Sequence, residues 1–177
     1  TISELYFLPA LNSSFIFDNN FVRVSNYTGI RGVIHPSVQT SSLFSNNDIV
    51  VDAPGGAAAV YVTSTSSFGD INVENNTIVN TTGPTSSRFF VGATYSGIIY
   101  NNNTSSASNN VVYEHNSPGI SVCTSLDSNV ANSYQFITVA GSVINVTQSL
   151  ADLATNNVGT VAITGAGPVN FDTGCMP

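Results

Sequence analysis

Carboxylates are the residues of this chain most able to do chemistry, and two of them recur at one place in a pattern. Asp18 and Glu74 each stand directly before an Asn-Asn pair, in "FIFDNNFVRV" and "INVENNTIVN"; Ser45 and Asn101 hold the same place in "SLFSNNDIVV" and "IIYNNNTSSA". If such stretches stack as neighbouring strands about 4.8 Å apart, Asp18 and Glu74 lie two strands apart, roughly 10 Å. Inverting glycosidases hold their two carboxyl groups about 6.5–9.5 Å apart, so the pair is a candidate for polysaccharide hydrolysis. Isolated surface carboxylates ordinarily serve only solubility, and neither is favoured as catalytic. Other constellations fail. Glu114 and His115 are sequence neighbours, which face opposite ways on a strand. No G-x-S-x-G elbow occurs. The glycines of "APGG" at 53–56 lack the downstream Lys of a phosphate loop. His35 and His115 stand far apart, so no zinc ligand set is evident, and no metal or other cofactor is expected.

What must position these residues is a repeat. The first asparagines of the four pairs are Asn19, Asn46, Asn75 and Asn102, at intervals of 27 to 29 residues. Two positions upstream stand Phe17, Phe44, Val73 and Tyr100; four upstream stand Phe15, Ser42, Ile71 and Ile98, with one polar slip. The chain holds 22 Asn in 177 residues, so chance alone gives about three adjacent pairs by composition; seven occur. A period of this length marks a stacked array in which no unit buries its apolar face alone. A parallel β-helix follows, with Phe15, Phe17, Ile71, Val73, Ile98 and Tyr100 inward and the positions before the pairs outward. Asn is a poor strand former and favours bends. At a bend between sheets, an inward asparagine, expected at Asn75 and Asn102, can satisfy local backbone groups and bond its counterpart one coil away as an amide ladder.

"INVENNTIVN" and "GIIYNNNTSSASNNVVYEHN" resemble the right-handed parallel β-helices of bacteriophage tailspikes and of polysaccharide-cleaving enzymes. The resemblance lies in texture, names no individual member and fades after about residue 120. It implies an elongated all-β coil and, for the enzymes, a carbohydrate substrate.

The chain reads as one all-β domain over 1–177: an N-terminal arm at 1–11, a repeat region at 12–120 and a C-terminal β cap at 121–177. A single β-sandwich is the structural alternative, since strands spaced every 8 to 12 residues fit it too. In the cap, "YQFITVAGSVINVTQ" predicts a hairpin about Gly141-Ser142, and "SLADLATNN" a two-turn helix ending at Asn157 or Gly159. The arm carries Leu5, Tyr6, Phe7, Leu8 and Leu11, interrupted by Pro9. It is either the first core strand or a strand donated to a neighbouring copy.

Composition bounds the setting. Only 7% of residues are charged, with no Lys, three Arg and a net charge of −7; average usage is about 25%. No basic footprint exists for nucleic acid or anionic lipid, and no apolar run is long enough to span a bilayer. Solubility rests on Ser, Thr and Asn, which suits an extracellular surface. In that setting Cys123 and Cys175, the only cysteines, are expected to bond, closing a loop of about 50 residues and contributing roughly 2–4 kcal/mol. Asn-x-Ser/Thr triplets at Asn12, Asn26, Asn75, Asn80, Asn102, Asn103 and Asn145 are glycosylation candidates, although so Asn-rich a chain produces them by chance. At Asn75 and Asn102 a buried ladder and a glycan exclude each other. The expectation is a non-enzymatic, self-assembling structural or adhesive protein, a virion spike or surface-filament subunit. Its partners are copies of itself and, secondarily, surface glycans. The alternative is a polysaccharide hydrolase or lyase, or a glycan-binding module.

Overall fold

A computed structural model describes residues 16–25, 31–34, 42–52, 59–64, 70–80, 88–92, 96–106, 109–114, 119 and 121–177. The apolar arm with Leu5, Tyr6, Phe7, Leu8 and Leu11 lies outside them, as do Asn12, Phe15, Asn26, His35 and His115.

The chain winds as a parallel β-solenoid. Its strands are β1 (Ile16–Asp18), β2 (Phe21–Ser25), β3 (Arg31–Ile34), β4 (Ser42–Ser45), β5 (Asp48–Asp52), β6 (Ala59–Ser64), β7 (Asp70–Glu74), β8 (Thr77–Asn80), β9 (Arg88–Gly92), β10 (Gly97–Asn101), β11 (Thr104–Ser105), β12 (Asn109–Glu114), β13 (Ser121–Asp127), β14 (Val130–Thr138), β15 (Val143–Val146), β16 (Val158–Gly165) and β17 (Val169–Asn170), with one helix, α1 (Leu150–Asn156), before β16. A seven-stranded first sheet runs β1-β4-β7-β10-β13-β15-β17. The second runs β2-β5-β8-β11-β14-β12-β9-β6-β3, with β16 also on β14. Long β14 joins what begins as two columns: its start lies on β11 and its end on β12.

Every ladder between described strands is parallel, and each strand pairs with counterparts about one repeat away. A β-sandwich, built from antiparallel pairs, is thereby excluded. The alternation places like residues in columns. Phe17, Phe44, Val73, Tyr100 and Leu126 share one register row in the first sheet, and all are buried. Ile71 and Ile98 head a second inward row that continues through Thr124 to Val146. Val22, Ile49, Ile78, Ser105 and Ala131 form the facing row of the second sheet. Phe17 and Phe44 stack with ring centroids 5.3 Å apart. No coil could bury these side chains alone; in the interior coils each is covered by the coil before it and the coil after it.

The coil does not stop at residue 120. β13, β15 and β17 extend the first sheet, and β14 and β16 the second. The expected hairpin about Gly141-Ser142 is therefore corrected. β14 and β15 belong to different sheets and do not pair. Alternation alone does not distinguish a hairpin from two successive strands of a coil, and the tight turn at Gly141 (φ 83°) suits either. The helix forms where expected. Ser149 caps it, its hydroxyl accepting from the Asp152 N–H at 3.1 Å, and the Asp152 carboxylate sits in the first turn, where the helix dipole favours it. Leu153 fixes its inner face in the core.

Candidate functional site

Among the described residues, the corner between the two sheets concentrates the side-chain hydrogen bonds. Each corner of the first four coils uses an Asn-Asn pair, and the two members do different work. The first members, Asn19, Asn46, Asn75 and Asn102, are exposed and adopt left-handed backbone, with φ of 57, 52, 56 and 54°. Asn tolerates this region better than other non-glycine residues. Ser128 holds the same conformation in the next coil (φ 56°).

The second members point inward. Asn47, Asn76 and Asn103 are buried and Asn20 partly so, and the row continues through buried Asn129 and Asn157. From Asn47 onward each amide oxygen of this column accepts twice from the residue one coil earlier. Asn103 Oδ1 takes the Asn76 N–H at 3.1 Å and the Asn76 Nδ2 at 2.8 Å. Asn129 Oδ1 takes the Asn103 N–H at 2.8 Å and its Nδ2 at 3.1 Å. Each Nδ2 donates a second time to the carbonyl of the next-to-last residue of a first-sheet strand: Asn47 to Phe17, Asn76 to Phe44, Asn103 to Val73 and Asn129 to Tyr100. An asparagine side chain has two donors and two acceptor sites, so the interior members are saturated. Turning a buried backbone corner otherwise leaves such groups unpaired, at about 1–3 kcal/mol each.

The ladder is thus one residue displaced from the expected position: Asn75 and Asn102 are the exposed corners, and Asn76 and Asn103 carry the ladder. The column ends at α1. Asn157 caps the helix and donates from both its backbone N–H and its Nδ2 to Leu153 O, at 3.1 and 3.0 Å, where the next coil's asparagine would otherwise stand. Gln148 fills the neighbouring gap, accepting from Leu126 N–H and donating to Leu126 O at 2.8 Å.

These positions bear on the glycosylation candidates. Asn103 is buried with its amide nitrogen engaged twice, so it has neither the space nor the free nitrogen for a glycan; that candidate is withdrawn. Asn75 and Asn102 are exposed. Asn145 is half-buried, accepting from Asn170 and donating to Ser121 in a short surface row of its own. Asn80 ends β8, and its side chain lies outside the described residues.

The row before the corners forms in register, although within it Ser45 is buried and Glu74 and Asn101 are half-buried rather than fully outward. Asp18, Ser45, Glu74, Asn101 and Asp127 are in register across five strands. Ser45 and its strand separate the two candidate carboxylates, leaving them roughly 10 Å apart by strand spacing. The Ser45 hydroxyl and the Asn46 Nδ2, at 2.8 Å, both donate to Asp18 Oδ1. The hydroxyl contact is the larger cause holding this carboxyl below its ordinary value. Such a group stays ionised and is poorly matched to protonating a leaving group. Among the described residues, no group of three or more His, Cys, Asp or Glu gathers as a metal site.

The disulfide forms between Cys123 on β13 and Cys175, with Cα atoms 5.9 Å apart. It turns the tail back along the first sheet. A Cβ on Gly97 would stand 2.8 Å from Pro177 C and 2.5 Å from the Asp70 carboxylate, so the absence of a side chain there lets the tail lie against β10. No family model, no curated protein and no solved structure matches the chain.

Proposed function

We propose that this chain is an extracellular, self-assembling structural or adhesive module of a virion spike or surface filament, and that its task is to hold shape. One observation carries the reading: the longest polar array among the described residues, the asparagine column, is spent on stitching successive coils together. A disulfide fastening the tail suits an oxidising setting. The low charge leaves a hydroxyl- and amide-rich exterior for contact with copies of the chain and, secondarily, with surface glycans. Nucleic acid and membrane insertion have no place in this reading.

The alternative, a polysaccharide hydrolase or lyase or a glycan-binding module, is favoured by one feature, the register of Asp18 and Glu74 on a single outer row. Reducing-sugar release from a panel of polysaccharides, measured beside light scattering of the same preparation, separates the two. The structural reading expects no release and a mass above that of one chain. Release that is lost in both Asp18→Asn and Glu74→Gln would replace it with the enzyme.

A further inference from the structure

The two ends of the second sheet's last coil are finished differently. Near the corner, α1 closes the ladder and Leu153 plugs the core. Farther along β16 nothing comparable is present. Tyr134 and Phe136 of β14 are buried in the core, and their register partners on β16 are Val161 and Ile163. Partners in a parallel ladder point to the same face, so Ile163 occupies a core position. It is nevertheless 48% exposed, whereas Phe136 is fully buried. Val158, at the start of the same strand, is 64% exposed. Among the described residues only β14 pairs with β16, so the backbone of its other edge also lacks a ladder partner. An edge of this kind accepts an extended strand.

The path of the chain narrows the choice of occupant. After β17 the backbone turns at Asp172 (φ 56°), then runs to Cys175, which is bonded to Cys123 of β13, and to Pro177 beside Gly97 of β10. The tail through Pro177 leads away from β16 and is fastened there. β17 itself stands one strand beyond β15, so the end of the solenoid is a step, taller on the first sheet than on the second. From Leu153 to Phe171 no residue carries a charge, so two such ends meet without the charged side chains that normally keep like edges apart.

We infer that the C-terminal end, β16 with the step at β17, is a self-association surface whose occupant is the same end of a second copy. A two-fold axis across the coil direction places the first sheet of each copy over the second sheet of the other. β17 of each then fills the step beside the partner's β16, giving an isologous, closed contact. This rests on the self-assembling reading above and locates its contact.

Sedimentation velocity over a concentration series tests it. The full chain should pass from monomer to dimer. Ile163→Lys, at a site already half exposed, should weaken association about tenfold or more by burying an unpaired charge, with circular dichroism unchanged. Phe21→Lys, an exposed apolar site in the second sheet's first described strand, should leave association intact. Hydrogen exchange on the unmodified chain gives an independent reading, since amides of 158–165 should gain protection as concentration rises. Association that survives Ile163→Lys, or that Phe21→Lys abolishes instead, overturns this contact while leaving self-assembly standing. A folded monomer produced by deleting residues 1–11 would assign the edge to the N-terminal arm and also overturn it. A chain that stays monomeric throughout, with concentration-independent exchange in β16, removes the self-assembling reading together with its contact.

Discussion

Asn102 and Asn103 are identical side chains on adjacent residues. Asn102 is exposed, and what its position demands is a backbone that tolerates a φ of 54°. Asn103 is buried, and what its position demands is an amide that accepts from Asn76 and donates to Val73 and Asn129. The same division recurs at 19/20, 46/47 and 75/76. At the next coil the outer place falls to Ser128 while the inner stays asparagine. The difference shows which constraint is stricter. Left-handed backbone is met by several residues at modest cost, whereas a saturated donor and acceptor pair of one shape is met by one residue type.

The largest effect should come from breaking the inner member. Asn103→Ala strands the N–H and Nδ2 of Asn76 and removes both donations from the lost amide, so it should cost about 3 kcal/mol or more. Asn102→Ala should cost far less. Chemical denaturation of the two variants measures the contrast, and comparable losses would end the distinction between the rows.

Next comes the alternation that feeds the corner. Val73 is fully buried, and Glu74, one residue on, lies in the outer row. Val73→Ala should destabilise by about 1–3 kcal/mol through lost burial and a cavity, and Glu74→Ala by under about 0.5 kcal/mol. Equal shifts in denaturation midpoint would contradict the inward and outward assignment.

The outer member can be sharpened on its own. At Asn75 (φ 56°), replacement by Gly should be close to neutral because glycine enters this region freely. Replacement by Val should cost about 1–2 kcal/mol, the penalty of a Cβ in left-handed backbone. A thermal series in which Gly is as harmful as Val would mean that the Asn75 side chain, rather than its backbone, matters.

The smallest effect is electrostatic. Asp18 is solvent-facing, and its carboxyl is lowered first by the Ser45 hydroxyl and then by Asn46. A carboxyl depressed in the folded state adds stability that is present above its unfolded value and is lost as pH falls through the folded value. The window therefore lies in acid, from the ordinary carboxylate range downward. In an NMR titration the Asp18 midpoint should sit below 3.8 and rise in Ser45→Ala. An unchanged midpoint would show that the outer row is not coupled across strands.

The period, the inward residues and the outer row were legible in the sequence because alternation and repeat spacing depend only on pleat geometry and chain length per coil. Phe17, Ile71, Val73, Ile98 and Tyr100 are buried as alternation requires. The helix was legible at Ser149, Asp152 and Asn157, since capping is local chemistry. Which asparagine of a pair turns inward was not legible, because the two differ only by a backbone dihedral that stacking imposes. Asn129 was hidden for another reason, since it follows Ser128 rather than an asparagine, and Asn157, although it follows Asn156, stands two periods beyond Asn102 at the end of a helix within its coil. The strands flanking Gly141 likewise read as a hairpin, since alternation carries no direction. Tertiary structure decided these points, because hydrogen bonds reaching 26 to 29 residues along the chain exist only once neighbouring coils are in place.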